Sequence, residues 1–259
     1  VSDEGVLLTV AYDGGPYAGW APQKNATTVA GVLLDAVRAL RPGVRELRGV
    51  SRTDAGVHAR GQRVAFDAPA GIPTRGWALG LTSHLPPTIA VRAAARVPAG
   101  YDPRGHTRGK RYIYTILLDL LRDPFLESHA WRVVAPLDLG RMQVAAASLL
   151  GTHDFRAYRS SGDERTDTVR TLRRVEVLPD LADRRLFRVV VEGDRFLYNM
   201  VRILTGTLVD VGAGRLDPEA PARALLTGER GALGQTAPPQ GLTLDEVFLT
   251  DEGDDRWPP

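Results

Sequence analysis

The sequence contains no cysteine, which excludes disulfides, thiolate metal sites and a cysteine nucleophile. Histidine is nearly as scarce. The five residues, His58, His84, His106, His129 and His153, never pair at the close spacing of a helical metal site, so no structural metal is expected. No apolar run approaches the roughly 20 residues of a membrane helix, and no membrane partner is expected. Val1–Gly5 lacks the basic, apolar and small-residue regions of a signal peptide, which makes the cytoplasm the expected location. A GxxxxGK[ST] phosphate loop and a dinucleotide glycine fingerprint are also missing, so nucleoside triphosphate and nicotinamide chemistry have no support. The chemistry is expected to run on oxygen and nitrogen groups without a cofactor.

What is present fits an ordinary globular protein: 259 residues, 43% hydrophobic and 25% charged. That length suits two domains, expected at 1–104 and 105–259 on either side of a turn-rich segment. The net charge of +2 hides an asymmetry, because basic residues outnumber acidic ones in residues 1–110 and the reverse holds in 111–259. Arg38, Arg41, Arg45, Arg48, Arg52, Arg60 and Arg63 face only Glu46 and Asp54 in their stretch. Such a footprint fits a polyanion, and it equally fits a solvated basic face with no partner, since lysine is confined to Lys24 and Lys110.

The pattern of elements predicts a fold. Residues 6–12 read as a buried strand stopped by Asp13-Gly14-Gly15-Pro16. Thr27 or Thr28 caps a helix with Val29, Val32, Leu33, Ala36, Val37 and Leu40 on one face, stopped by Pro42-Gly43. Strands follow at 45–50 and 58–67, a helix from Pro73 and a strand from Ile89 to Val97. This β-α-β-β-α-β order is the split, ferredoxin-like arrangement. A second series has a strand at 110–118, a helix at 138–150 capped by Asp138, strands at 168–178 and 185–192, a long amphipathic helix at 196–211, a helix from Asp217 and a strand at 242–249. The expected class is α+β: two similar β/α halves, mainly antiparallel sheets joined into one extended sheet, helices on one face and an active-site cleft between the halves. The acidic end, Asp251, Glu252, Asp254 and Asp255, reads as a solvated tail.

One stretch concentrates chemistry. Gly49-Val50-Ser51-Arg52-Thr53-Asp54-Ala55-Gly56-Val57-His58-Ala59 sets a carboxylate between glycines, near Arg52, Arg60 and Arg63, where a strand breaks into a loop. By local signal Asp54 is either a turn residue bonding its own backbone or a carboxylate kept ionised by neighbouring cations. Tyr112 stands beside Lys110 and Arg111 and reads alone as a strand tyrosine alternating with Tyr114. Arg202 on the long helix reads alone as a surface arginine. His58 reads as a satisfied structural histidine, and Trp20 as a residue at the turn after the first strand.

The block GVSRTDAGVHARGQ (49–62) resembles the signature loop of the tRNA pseudouridine synthase A family. YDGGPYAGWAPQ (12–23), RGHTRGKRYIYTI (104–116), LLGTHDFRAY (149–158), FLYNMVRILTGTLVDVG (196–212) and GLTLDEVF (241–248) are similar to further family blocks, in the family order. The resemblance implies an isomerase that converts uridine to pseudouridine in the anticodon stem-loop of tRNA, expected at tRNA positions 38–40, without cofactor or metal and as a homodimer. It implies that Asp54 is the nucleophile or base, that Tyr112 packs on the flipped uracil, and that Arg202 pairs with the catalytic Asp. It also implies that Arg52, Arg60, Arg63, Arg104, Lys110 and Arg111 meet the RNA. Ala21, Ala30, Thr82, Gly105 and Asp194 depart from the family pattern, all outside the catalytic loop. Two other readings stand beside it: a non-catalytic RNA-binding protein, and a metal-dependent phosphodiesterase using Asp54 and His58.

Overall fold

The computed structural model describes residues 3–258, and its class is α+β. The chain divides into two compact units, Val1–Arg108 with Leu244–Pro259, and Gly109–Thr243. Among the described residues no helix is long and apolar enough to cross a membrane.

In the first unit, β1 (Asp3–Tyr12) runs antiparallel to both β3 (His58–Pro69) and β4 (Ile89–Val97). Val6, Leu7, Leu8 and Val10 are all buried, because a central strand is covered on both faces and so reads as a continuous apolar run. Helix α1 (Val29–Leu40) starts where expected: the Thr28 Oγ1 accepts from Gly31 N–H at 3.3 Å, and Val29, Ala30, Leu33, Ala36 and Val37 are buried. Helix α2 (Thr74–Thr82) follows Pro73 and sets Trp77 edge-on against Phe66 of β3, ring centroids 5.0 Å apart.

Three features differ from the pattern read off the sequence. Strand β2 contains only Arg48–Gly49, pairing with Ala65 and Val64 of β3. It is short because β3 shares that edge with β10 (Leu242–Leu249), whose Asp245 carbonyl lies 2.6 Å from where a Cβ on Gly61 would stand. The return of Leu244–Pro259 to the first unit therefore follows from strand pairing, which a boundary at 104/105 does not provide for. Lastly, the acidic end is no solvated tail. Asp254–Trp257 forms β11 on β4, Asp255 pairs with Arg96 at 3.0 Å, Glu252 with Arg63 at 3.4 Å, and the Asp251 carbonyl accepts from the Tyr101 hydroxyl at 2.6 Å. Arginines on β3 and β4 supply the partners that a tail reading assigns to water.

The second unit contains an antiparallel sheet in the order β5 (Thr107–Leu118), β9 (Leu186–Gly193), β8 (Val169–Pro179), β7 (Gly151–Asp154), with β6 (Trp131–Val133) parallel to β5. Asp138 caps α3 (Leu139–Ala147), its carboxylate accepting from Arg141 N–H at 3.0 Å. Helix α4 runs Met200–Gly212 and starts four residues later than its periodicity predicts, because Asn199 takes a left-handed backbone, φ +60°, and ends the helical path there. It is also less amphipathic than expected. Every residue of α4 except Arg202 and Asp210 is buried, so the helix is the core of its unit. Helix α5 (Ala220–Thr227) closes at Gly228, φ +75°.

Close backbone approach explains Gly206 on α4. A Cβ there would overlap the Gln235 carbonyl, while the Thr207 hydroxyl accepts from Gly234 N–H at 3.1 Å. Gly206→Ala is therefore expected to destabilise the protein by about 1–3 kcal/mol despite alanine's better helix propensity. Urea unfolding checks this, and a variant as stable as wild type would show that the 234–237 segment yields freely.

Candidate active site

The loop holding Asp54 is fixed by bonds on both flanks. The Gln62 carboxamide clasps Ser51 twice, accepting from its N–H at 3.1 Å and donating to its carbonyl at 2.7 Å, and Val50 N–H donates to the Arg63 carbonyl at 3.0 Å. On the other strand, Tyr12 and Thr53 share a hydroxyl bond of 2.7 Å, and the Thr53 carbonyl accepts from Trp20 N–H at 3.0 Å. The chain then turns: Val57 N–H donates to the Asp54 carbonyl at 3.1 Å, with Gly56 at φ +78°. Gly19, at φ +94°, runs so close beneath that a Cβ would lie 2.8 Å from the Thr53 carbonyl and 3.2 Å from the Asp54 carbonyl carbon. Ser51, Thr53, His58 and Gln62 are buried polar residues and Asp54 is half-buried. The turn reading of Asp54 thus holds for its main chain, while its side chain is carried on a frame that cannot drift. Such fixation is what a reacting carboxylate needs, since a 1 Å displacement can cost about 10²-fold in rate.

Two residues that fix this frame escape a local reading. Gln62 looks like an ordinary strand residue, yet it is wholly buried and completes the backbone bonding of Ser51. Tyr12 looks like the end of a strand, yet its hydroxyl holds Thr53 and its ring stacks on Trp20 at 5.9 Å. Trp20 is 4% exposed and lies under Gly49, where a Cβ would strike its ring, so it is a core residue of the loop's support. His58 is buried, its Nδ1 accepting from Gly14 N–H at 3.1 Å, and Asp13 Oδ1 lies 3.1 Å from the same nitrogen. This is the satisfied histidine that the sequence suggested.

The cations distribute unevenly. Arg52 and Arg60 are exposed, and Arg104 is exposed with Nε donating to the Gly49 carbonyl at 2.8 Å, at the entrance to the loop. Arg63 departs from the expectation of an RNA contact. It is buried and paired with Glu252; burial pulls its guanidinium below the usual range while the Glu252 charge opposes that shift. Its role in the structure is to tie the C-terminal residues to β3.

In the second unit Lys110 and Arg111 are half-buried on β5, and Arg111 lies 3.9 Å from Glu192. Tyr112 stands opposite Val191 and is buried, its ring edge-on to Phe196 at 5.1 Å. Tyr114, two residues on and so on the same face, donates to the Pro238 carbonyl at 2.7 Å. Burial pushes its hydroxyl far above the usual tyrosine range, with the Arg202 charge pulling the other way. Arg202 itself donates from Nε to the Ala237 carbonyl at 2.8 Å and from Nη1 to Asn199 Oδ1 at 2.7 Å. It is therefore no loose surface arginine, but one whose guanidinium plane is set.

Asp54 is thus carried on a braced loop of the first unit, and Tyr112 and Arg202 are each held by fixed partners in the second. Comparison with known proteins identifies the family. Residues 145–248 match the family model described as tRNA pseudouridine synthase. Over 251 residues the chain is 43% identical to the tRNA pseudouridine synthase A of Myxococcus xanthus, covering 97% of this chain and 94% of that one. It is 42% identical over 250 residues to that of Citrifermentans bemidjiense, covering 96% and 99%, and 43% identical over 243 residues to that of Geobacter sulfurreducens, covering 93% and 98%. The class is thus that of the pseudouridine-forming isomerases. Within it, the chain belongs to the tRNA pseudouridine synthase A family.

Proposed function

We propose that this protein isomerises uridines of the tRNA anticodon stem-loop, at tRNA positions 38–40, to pseudouridine, with Asp54, Tyr112 and Arg202 as its catalytic residues. The observation that carries the proposal is identity above 40% to synthases over nearly the whole of both chains. The braced loop under Asp54 supports it from the side of the geometry. The reaction breaks the uridine N1–C1′ bond, turns the base and joins C5 to C1′, so the C5 proton leaves and N1 gains one; nothing is oxidised. Asp54 attacks C1′ or takes a ribose proton, either of which its ionised carboxylate performs. Tyr112 packs against the extruded uracil. Arg202 keeps Asp54 charged. Arg52, Arg60, Arg104, Lys110 and Arg111 grip phosphates, leaving Arg63 to the core. The protein works in the cytoplasm as a homodimer, which light scattering of the purified protein checks.

The test is unmodified tRNA tritiated at uridine C5. Release of tritium from an intact chain, unaffected by chelator, is expected. Binding of substrate tRNA without release would leave a binding protein, and shortened RNA would leave the phosphodiesterase. Tyr112→Phe refines the picture. It keeps the ring against Phe196, so tRNA affinity should hold, while turnover falls about 10²–10⁴-fold if the hydroxyl handles the C5 proton. Undiminished turnover would limit Tyr112 to packing.

A further inference from the structure

Asn199 occupies an unusual place. It precedes α4 with a left-handed backbone, φ +60°, yet its side chain makes no capping bond to the helix, the ordinary use of an asparagine at that position. Its carboxamide is turned to other partners. Oδ1 accepts from Arg202 Nη1 at 2.7 Å and Nδ2 donates to the Ser160 hydroxyl at 2.8 Å. Arginine offers only donors, so the oxygen must face it and the amide must face the serine; both ends are satisfied in one orientation. With Nε on the Ala237 carbonyl, the Asn199 bond fixes a second nitrogen and with it the plane of the Arg202 guanidinium.

Ser160 is no loose strut. Its loop is fastened along the segment that leads into α4: Ser160 N–H donates to the Tyr198 carbonyl at 3.2 Å, the buried Asp163 carboxylate accepts from Tyr198 N–H at 2.9 Å, and Arg165 Nη1 donates to the Phe196 carbonyl at 3.0 Å. The hydrogen bonds of Arg165, less the opposing cost of burial, then those of the Tyr198 and Arg165 N–H groups, hold Asp163 well below the usual carboxylate range, so this clamp stays charged at neutral pH.

We propose that Asn199 is a positioning residue for the isomerisation: braced by Ser160, its carboxamide aims the Arg202 guanidinium and so sets the rate of the chemical step without touching the RNA. A forfeited cap and a left-handed backbone are local costs retained for that purpose. The inference rests on the uridine isomerase reading.

The test is Asn199→Gly, which keeps the left-handed backbone at no steric cost and removes only the carboxamide. Single-turnover tritium release from saturating tRNA should slow by about 10-fold or more, an ångström-scale misplacement being worth up to about 10². The Kd for tRNA should stay within about twofold and the melting temperature should fall by no more than a few degrees, the cost of two lost part-buried hydrogen bonds. In an Arg202→Met background the same substitution should slow release no further, because coupled residues lose their effects together. Ser160→Ala should lower the rate in the same direction and by less. A rate equal to wild type, a loss that multiplies with that of Arg202→Met, or a loss matched by weaker tRNA binding would each overturn the positioning role. Wild-type protein that released no tritium would instead defeat the isomerase reading beneath it.

Discussion

Asp54→Asn is expected to reduce tritium release from C5-labelled tRNA by about 10³-fold or more while leaving the Kd for tRNA nearly unchanged. The amide is close to isosteric, and bonds through Ser51, Thr53, Gln62 and the Asp54 main chain hold this loop, so the fold should persist. What is lost is the charge and the nucleophilicity of the carboxylate. Asp54→Glu sharpens the point. An acid one methylene longer on a flexible loop would find its place again, but here Gly19 lies against the main chain of residues 53–55 and leaves no slack. Glutamate should therefore restore little of the rate, with a deficit of about 10² or more. Wild-type turnover by Asp54→Asn would remove Asp54 from the chemistry, and near-complete rescue by glutamate would show the loop to be compliant.

Much of the first unit was legible because its punctuation is local. Asp13-Gly14-Gly15 stops β1, Thr28 caps α1, Pro73 opens α2, and each observed element lies within a few residues of its sequence pattern. What local pattern cannot encode is which strand edge a segment claims. Strand β2 shrank because β10 takes part of the same edge of β3, and the C-terminal residues formed β11 because Arg63 and Arg96 wait on strands far upstream. Glu252 lies 189 positions from Arg63, so no window of sequence could move Arg63 from the RNA-facing group into the core. The late start of α4 has a different cause. Phe196 to Asn199 continue the helical hydrophobic pattern, and only the backbone of Asn199 reveals that the chain turns first.

The site follows the same division. Arg52, Asp54 and their neighbours were singled out by a continuous motif, whereas the residues that hold them, Tyr12, Gly19 and Gln62, come from separate elements and carry no local signal of that duty. Arg202 illustrates both sides. Its place in FLYNMVR pointed to a role through resemblance, but periodicity made it a surface arginine. The structure instead surrounds it with buried neighbours and gives it the Ala237 carbonyl and Asn199.

Those fixed partners make the outcome of Arg202→Met specific. Methionine keeps much of the length and apolar bulk of the side chain, so α4 should stay packed, although the Ala237 carbonyl and Asn199 each lose a donor. If Arg202 keeps Asp54 ionised, its loss raises the Asp54 pKa and shrinks the reactive carboxylate fraction at a given pH. Turnover should fall most at acidic pH, by up to about 10²-fold near pH 5 for a rise in pKa of about 3, and the deficit should narrow as pH rises, because alkali restores the carboxylate that the arginine no longer protects. A lost phosphate contact behaves otherwise: Kd rises, salt dependence weakens and the pH profile keeps its shape. Measuring single-turnover rate and tRNA Kd for wild type and Arg202→Met between pH 5 and 9 separates the two. A uniform loss of affinity with normal single-turnover rate would make Arg202 an RNA contact and remove it from the reaction.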